Sequence, residues 1–383
     1  MRKIILSWLA VGALLSCQQL SAPEETALQQ PETPCGTLMV NLMVPGAPET
    51  KTPGGSTSED KVNTLQIFVF KDISESNHTL NVKETDKWIS DGSTALTLNT
   101  YMGKKRVWAL VNAPRQSFDN EQALMTHYSK LEENSPTNLV MVGKTLVDVK
   151  EYNAAASLGT PTPATITAYR LGARISIRNI NLDFSNTSLE GCNLDIKEVY
   201  ILNAVNSVSL AGTPRTIAEL GASSACWYNL EAWSDGIPAA AKDILGDRGN
   251  LNLSIGPNKG TQDLNRFFYV YPNVSTAAND NTEASPSARL TRLILHAYIR
   301  GAAGRGSGDN LAHSEESYYC FDIPKSANVT SIEGNHTYDI ESITITMAGG
   351  ASDQPDQRPK YGKVSASVTV GQWGGHTTLT YEL

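Results

Sequence analysis

Charged side chains are scarce in this chain. Of its 383 residues, 18% are charged and 7% are aromatic, whereas glycine and proline number 29 and 18. Few charges and many turn residues are typical of short strands joined by turns, not of long salt-bridged helices. The 31 basic residues are outnumbered by 39 acidic ones, and no stretch interleaves lysine and arginine with aromatics. Nucleic acid is therefore not expected as a partner.

The sequence also lacks the motifs of catalysis and metal binding. The six histidines are scattered, with no pair at metal-ligand spacing. Gly143–Thr145 match the end of a phosphate-binding loop, but Asn138 stands where its first glycine is required. The acidic and amide residues at 279–283 lack the spacing of a calcium loop, and no nucleophile elbow is present. We therefore predict no enzymatic activity, no cofactor and no metal.

No hydrophobic run reaches the roughly 20 residues of a membrane-spanning helix. The longest terminal run, Ile4–Leu15, follows Arg2 and Lys3 and leads through Ser16 into Cys17, which predicts an export signal. The Leu-Leu-Ser-Cys junction resembles a bacterial lipobox. We expect removal of residues 1–16 and acylation of Cys17 with a fatty acid such as palmitate. The polar residues 17–35 then form a flexible tether.

Cysteine is too rare for a disulfide-rich scaffold. With Cys17 assigned to lipid, four cysteines remain, and they allow three complete pairings that the sequence does not rank. Free buried thiols are the alternative. The four are Cys35, Cys192, Cys226 and Cys320.

After the tether, the chain reads as successive strands. In the segment 36–44, apolar side chains alternate with other residues at the period of a strand with one buried face; these are Leu38, Val40, Leu42 and Val44. A loop rich in proline, glycine and small polar residues follows from Pro45 to Asp60. Short apolar runs recur to the end of the chain, and one helix is expected over Glu121–Glu132.

A segment poor in large residues, 154–165, predicts a domain boundary. We expect an N-terminal β-sandwich over 36–160 and a C-terminal β-sandwich over 161–383. The frequent short strands favour an all-β fold with few short helices over a doubly wound sheet.

The C-terminal segment 363–383 contains two amphipathic strands on either side of a turn at Gly371–Gly374. A final hairpin that packs on its own domain is one interpretation, and a strand donated to another molecule is the other. The residues that alternate on the apolar face or mark the turn are Val364, Ala366, Val368, Val370, Trp373, Leu379, Tyr381 and Leu383.

The order of these features resembles the fimbrillin family of Bacteroidota, the type V pilins. The resemblance rests on the lipobox, the first strand and four further motifs: VNTLQIFVFKD at 62–72, KKRVWALVNAP at 104–114, AYRLGARISIRNI at 168–180 and VSASVTVGQW at 364–373. It implies two transthyretin-like β-sandwich domains in tandem and export as a lipoprotein. It also implies cleavage after a basic residue behind the first strand, and filling of the emptied groove by C-terminal strands of another subunit.

One feature departs from the family pattern. The segment between the first strand and Val62 contains Lys51 and Lys61 but no arginine. Lys51 lies in the open loop and is the predicted cleavage site, which requires a lysine-cleaving enzyme. An unprocessed anchor or tip subunit is the alternative, although an anchor has no use for donor-like strands.

The predicted function is that of a structural subunit of a cell-surface fimbrium that supports adhesion. Its expected partners are other fimbrial subunits, the outer membrane through the lipid of the precursor, and ligands on host or bacterial surfaces. A surface lipoprotein that binds a glycan or host ligand through its loops is the alternative. Trp227, Tyr228 and Trp233 would form its stacking platform, although such clusters are more often internal packing.

Overall fold

The computed structural model describes residues 35–46, 59–153, 157–247, 251–275, 289–301, 314–323, 331–350, 364–373 and 377–382. Cys17, the tether up to Pro34, Lys51, residues 279–283 and Leu383 lie outside the described residues. For the strands over 364–372 and 377–382, only the backbone is described.

The described residues form strands almost throughout. In the N-terminal half these are β1 Gly36–Met43, β2 Leu65–Lys71, β3 Lys83–Ile89, β4 Ala95–Thr100, β5 Gly103–Val111, β6 Tyr128–Lys130, β7 Met141–Val149, β8 Thr162–Thr167 and β9 Tyr169–Arg170. The following strands are β10 Ala173–Asp183, β11 Asn193–Leu202, β12 Ala204–Val205, β13 Ser207–Ser209, β14 Trp227–Tyr228, β15 Gly246–Asp247 and β16 Leu253–Ile255. The last six are β17 Lys259–Val270, β18 Thr291–Arg300, β19 Ser314–Ile323, β20 His336–Ile345, β21 Val364–Gln372 and β22 Thr377–Glu382. The helices are α1 Glu121–Thr126, α2 Ile217–Ala222 and α3 Ala239–Leu245. The all-β prediction is confirmed.

Two sheets pack face to face in the N-terminal half. One has the strand order β4-β1-β8 and the other β3-β2-β5-β7-β9. Aliphatic side chains of both sheets form one buried cluster, to which β2 contributes Leu65, Ile67 and Val69 and β5 contributes Val107 and Ala109. Because alternate residues of a strand point to opposite faces, the other face of β2 is free to enter a second core.

That second core fills the C-terminal half. Its sheets have the orders β17-β10-β20-β21-β22 and β15-β11-β18-β19, with β16 paired to β11. Alternate residues of β10, β11, β18 and β20 meet in the core, and Phe68, Phe70 and Trp108 from the N-terminal half join them. The two halves therefore share a continuous core, and contacts group Cys35–Leu383 into one compact unit.

The change between the two halves falls later than residue 160. Strand β8 pairs with β1, and β9 pairs with β7, so residues 162–170 belong to the N-terminal sheets. The C-terminal sheets begin with Ala173 of β10. The segment 154–165, which is poor in large apolar residues, runs into β8 of the N-terminal half, and the division into two domains stays a prediction.

The helix predicted over Glu121–Glu132 is wrong beyond Thr126. Asn120 caps α1 by accepting a hydrogen bond from the Ala123 amide at 2.9 Å. The chain then forms β6, which pairs antiparallel with β13 of the C-terminal half. This long-range pairing satisfies the backbone groups that a longer helix would have used, so helical spacing alone did not fix the structure.

Gly143 allows β7 to pass close to β8. A Cβ atom at this position would lie 2.4 Å from the Thr167 carbonyl oxygen and 2.7 Å from Ile166 Cγ2. We expect Gly143→Ala to lower the free energy of unfolding by about 1–3 kcal/mol, because both neighbours belong to a packed sheet. Chemical denaturation measures this. Gly236→Ala is the matched control, since its Cβ would meet only Ser234 Oγ at 3.5 Å; equal effects of the two variants would contradict the close approach.

Candidate assembly site

The first strand is the central strand of its sheet. β1 pairs antiparallel with β4, where Val40 lies opposite Leu96, and parallel with β8, where Val40 lies opposite Ala164. The strand ends are also held: the Leu42 amide donates to the Thr94 carbonyl at 2.8 Å, and the Ala168 amide donates to the Met43 carbonyl at 2.9 Å. Both edges of β1 are thus bonded to neighbours.

The side chains of β1 alternate as predicted. Leu38 and Val40 are 0% exposed and Leu42 is 7% exposed, whereas Met39 and Met43 are 42% and 58% exposed. The predicted strand over 36–44 is confirmed over Gly36–Met43, and Val44 packs partly buried against the same cluster. Departure of β1 would leave an apolar slot between two strands whose facing edges have no partner, which is a site for an incoming strand.

One guanidinium joins the two ends of the loop that contains Lys51. Arg170 is buried and follows β8, the neighbour of β1. Its Nη1 donates to the Pro45 carbonyl at 3.0 Å, just after β1. Its Nη2 donates to the Glu59 carbonyl at 3.3 Å and pairs with the Asp60 carboxylate. The described residues on either side of the segment 47–58 are therefore bound to one side chain.

Glu59 is buried at the far end of that loop with two partners. Its carboxylate pairs with Arg174 Nη1 at 2.9 Å and accepts a hydrogen bond from the Tyr269 hydroxyl at 2.5 Å. Arg174 is 0% exposed and lies 3.4 Å from Asp339 Oδ1 through its other nitrogen. A buried charge is tolerated when it is paired and hydrogen-bonded in this way.

Burial shifts the pKa values of this group. Desolvation raises the pKa of Glu59 above its ordinary value of 4.5, while Arg174, the Tyr269 hydroxyl and Arg170 oppose the shift. Desolvation lowers the pKa of Arg170, and Asp60 and Glu59 oppose that shift. Desolvation and Glu59 raise the pKa of Tyr269, so its hydroxyl stays a donor.

The raised pKa of Glu59 gives stability a defined dependence on pH. The folded chain holds this proton more tightly than the unfolded chain does. The contribution of Glu59 to the free energy of unfolding is therefore full below about pH 4.5 and is lost as the pH rises through the raised pKa, by about 1.4 kcal/mol per unit of pKa difference. Glu59→Gln should remove this dependence. Urea unfolding of the wild type and of Glu59→Gln across this pH range tests the dependence. If the wild type becomes more stable relative to Glu59→Gln as the pH rises, the dependence is contradicted.

The C-terminal strands form a hairpin on the chain's own C-terminal sheet. β21 pairs antiparallel with β20 and β22 pairs with β21 at the sheet edge. The register sets Val364, Ala366, Val368 and Val370 opposite four buried residues of β20, namely Ile345, Ile343, Ile340 and Tyr338. The self-packed interpretation therefore describes the isolated chain, and donation to another molecule requires release of this hairpin.

Trp373 directly follows β21 and packs against Arg170 and Arg174. The indole is 2% exposed, with the Arg170 guanidinium 4.5 Å and the Arg174 guanidinium 5.4 Å from its ring centre. Its backbone amide donates to the Asn335 carbonyl at 2.7 Å, and the Asn335 side chain accepts from the Arg170 amide at 3.2 Å. We call Glu59, Arg170, Arg174, Tyr269 and Trp373 the loop clamp.

The three aromatics predicted as a stacking platform are engaged in packing. Trp227 is 5% exposed and its indole donates to the Leu220 carbonyl at 3.0 Å. The Tyr228 hydroxyl donates to Glu132, and Trp233 packs edge-on against Tyr200 at 5.4 Å. Trp227 is buried and Tyr228 and Trp233 are half-buried, and each ring has a partner inside the protein, so the trio is packed rather than presented as one open platform. None of the three lines the 520 Å³ cleft that borders Arg170.

Other sequence features have structural roles. Gly143–Thr145 lie within strand β7, and buried His296 lies between Glu198 and Glu316 at 3.0 and 2.9 Å. Within the described ranges, no group of three or more histidine, cysteine or acidic side chains could hold a metal ion. Cys35, Cys192, Cys226 and Cys320 are thiols, not disulfides. No helix in the described part of the chain is long and apolar enough to cross a membrane.

Comparison with known proteins gives the fold. No protein-family model matches the chain, and no curated protein matches it in sequence. A candidate cell adhesion protein from Parabacteroides distasonis superposes with a TM-score of 0.59 at 18% identity, covering 88% of this chain and 99% of the other. One from Bacteroides eggerthii gives 0.56 at 16% identity, covering 88% and 96%.

The same fold occurs in a fimbrilin. A fimbrilin from Porphyromonas gingivalis superposes with a TM-score of 0.53 at 14% identity, covering 89% of this chain and 98% of the other. The resemblance in fold that the sequence motifs predicted is therefore confirmed. The chain shares its fold with a fimbrilin and with two candidate cell adhesion proteins.

Proposed function

We propose that this chain is a structural subunit of a cell-surface fimbrium. In this proposal it is exported as a lipoprotein acylated at Cys17, is cleaved after Lys51, and polymerises by exchange of strands with other subunits. The observation that carries the proposal is the position of β1. It is a fully paired central strand, and it precedes the segment 47–58, whose flanking residues Pro45 and Glu59 bind the same side chain.

Cleavage in that loop would separate β1 from the rest of the chain. Only pairing and burial would then retain the strand. The slot it leaves is lined by residues opposite β1 on β4 and β8, such as Leu96, Leu98 and Ile166, which are 8%, 6% and 0% exposed with β1 in place. An exposed apolar slot with two unpaired strand edges associates readily with another strand. The added strand makes backbone hydrogen bonds to both edges, and its apolar side chains fill the slot.

The C-terminal strands supply a matching segment. Val364, Ala366, Val368 and Val370 repeat at the period of Leu38, Val40 and Leu42, so one register places all the apolar positions of an incoming strand toward the slot. The hairpin is the last pairing of its own sheet, with β22 at the edge. A terminal edge hairpin can leave its sheet without breaking the pairings of β17, β10 and β20.

The fold shared with a fimbrilin and with candidate cell adhesion proteins supports the same function. An unprocessed anchor or tip subunit, the alternative left by the missing arginine, would keep β1 and its lipid. The aromatic trio is engaged in packing and adds no support to binding of a glycan.

Lys51→Gln is expected to abolish polymerisation. The protease would lose its basic residue, β1 would stay covalently bound, and the slot would remain closed. Cells that produce the variant should contain lipid-anchored precursor and no polymer ladder in unheated gel samples. Lys61→Gln is the matched control: Lys61 is exposed but lies just before buried Val62. A ladder in the Lys51 variant, or its loss in the Lys61 variant alone, would overturn Lys51 as the cleavage site.

A further inference from the structure

The loop clamp connects two segments that lie at opposite ends of the sequence. On one side Arg170 holds the Pro45 carbonyl at the end of β1, and on the other it lies over the Trp373 ring at the end of β21. Arg174 repeats this arrangement with the Glu59 carboxylate and the same ring. The indole therefore rests on two cations whose positions depend on the residues that flank the loop.

A second connection runs through the backbone. β1 pairs with β8, the Ala168 amide donates to the Met43 carbonyl, and Arg170 follows two residues later. The Arg170 amide then bonds Asn335 Oδ1, and the Asn335 carbonyl accepts the Trp373 amide. Movement of β1 thus reaches Trp373 both through the Arg170 side chain and through its backbone.

We propose that Arg170 couples the retention of β1 to the retention of the C-terminal hairpin, so that each segment is bound more tightly while the other is in place. When β1 leaves, Arg170 loses its hydrogen bond to the Pro45 carbonyl, and its guanidinium is no longer fixed over the indole ring. The hairpin then opens more readily. The coupling is a property of the single chain; its use as the step that frees the donor strands rests on the proposed function.

Trp373 Nε1 strengthens this assignment. Among the described residues it has no hydrogen-bond partner although it is buried, and the Nε atoms of Arg170 and Arg174 are in the same state. The ring is therefore held without a side-chain hydrogen bond, by the two cations and by packing in the buried apolar cluster of the C-terminal half. A cation–π contact depends on the position of the cation, so displacement of Arg170 weakens the contact at once.

Coupling between two sites is reciprocal, and this gives a sharp test. Hydrogen exchange of the full chain in detergent would be followed by mass spectrometry in β1 and in β21–β22, each normalised to β18 in the core. Arg170→Gln should accelerate exchange in both segments. Trp373→Leu, a change far from β1 in the sequence, should accelerate exchange in β1 by about 5- to 150-fold, the usual range of coupling between sites. Trp373→Phe keeps a ring and should give a smaller increase in the same two segments.

Arg178→Gln is the matched control. Arg178 links β10 to β20 through an exposed ion pair with Glu341 at 2.8 Å and lies away from the loop clamp. It should leave both segments unchanged. Faster exchange in β21–β22 with unchanged exchange in β1 in both Trp373 variants would show a purely local packing role and overturn the coupling. If β1 and the hairpin are not coupled but the protein polymerises, this inference is refuted and the proposed function stands. If the two segments are coupled but the protein never polymerises, the proposed function is refuted and this inference stands.

Discussion

Val40→Asp is expected to unfold the N-terminal sandwich. Val40 is 0% exposed, in the middle of the central strand, with Leu96 on one side and Ala164 on the other. Val40 packs inside a cluster of buried aliphatic side chains, so an aspartate there would be removed from water. An unpaired buried charge costs more than most single substitutions, and we expect a loss of about 4–5 kcal/mol or more in the free energy of unfolding.

The neighbouring position provides the control for Val40. Asn41 lies on the exposed face of the same strand, so Asn41→Asp should change the free energy of unfolding by less than about 0.5 kcal/mol. Urea unfolding of the unprocessed chain measures both. Equal midpoints for the two variants would mean that β1 is not held between β4 and β8.

Deletion of residues 364–383 is expected to abolish polymerisation while the chain stays folded. The pairings of β17, β10 and β20 remain without the hairpin. The truncated chain should therefore be a soluble monomer with a lowered melting temperature that still accepts a strand from intact subunits. Gel ladders of mixed and separate preparations measure assembly, and thermal melts measure folding. Loss of the thermal transition of the C-terminal half would mean that this half cannot fold without the hairpin, and strand donation would be refuted.

Two point variants test whether assembly needs the apolar face of β21 and not only the presence of the strand. Val368→Asp places a charge at an alternating apolar position and should block assembly through its desolvation. Thr369→Asp adds the same charge to the other face, so polymer should still form. Equal loss of the ladder in both variants would point to charge alone as the cause.

Local patterns predicted the strands well. The alternation at Leu38, Val40 and Leu42 specified both the strand and its buried face, because a period of two is fixed by backbone geometry. The same reasoning failed at Tyr128, where helical spacing continued but the backbone paired with β13. A pairing partner about 80 residues away has no signature in a local window.

The loop clamp could not be predicted for the same reason. Glu59 and Arg174 are 115 positions apart and Glu59 and Tyr269 are 210 apart. The available signal was a charged residue inside a buried run: Arg174 stands among Ala173, Ile175 and Ile177, and a buried arginine requires an acidic partner. The identity of that partner depends on the fold. In the aromatic trio, closeness in sequence did not bring the rings together as one open face, because each ring packs against a different partner.

The mass of the mature N-terminus in assembled fibres tests the central claim most directly. Fibres would be sheared from cells, separated from membranes and digested, and the N-terminal peptide of the subunit would be identified by mass spectrometry. Strand exchange after maturation predicts Thr52 as the first residue, with the peptide of β1 absent from the polymer. Acylated Cys17 at the start of every chain, with Gly36–Met43 still present and only monomer recovered, would contradict the account.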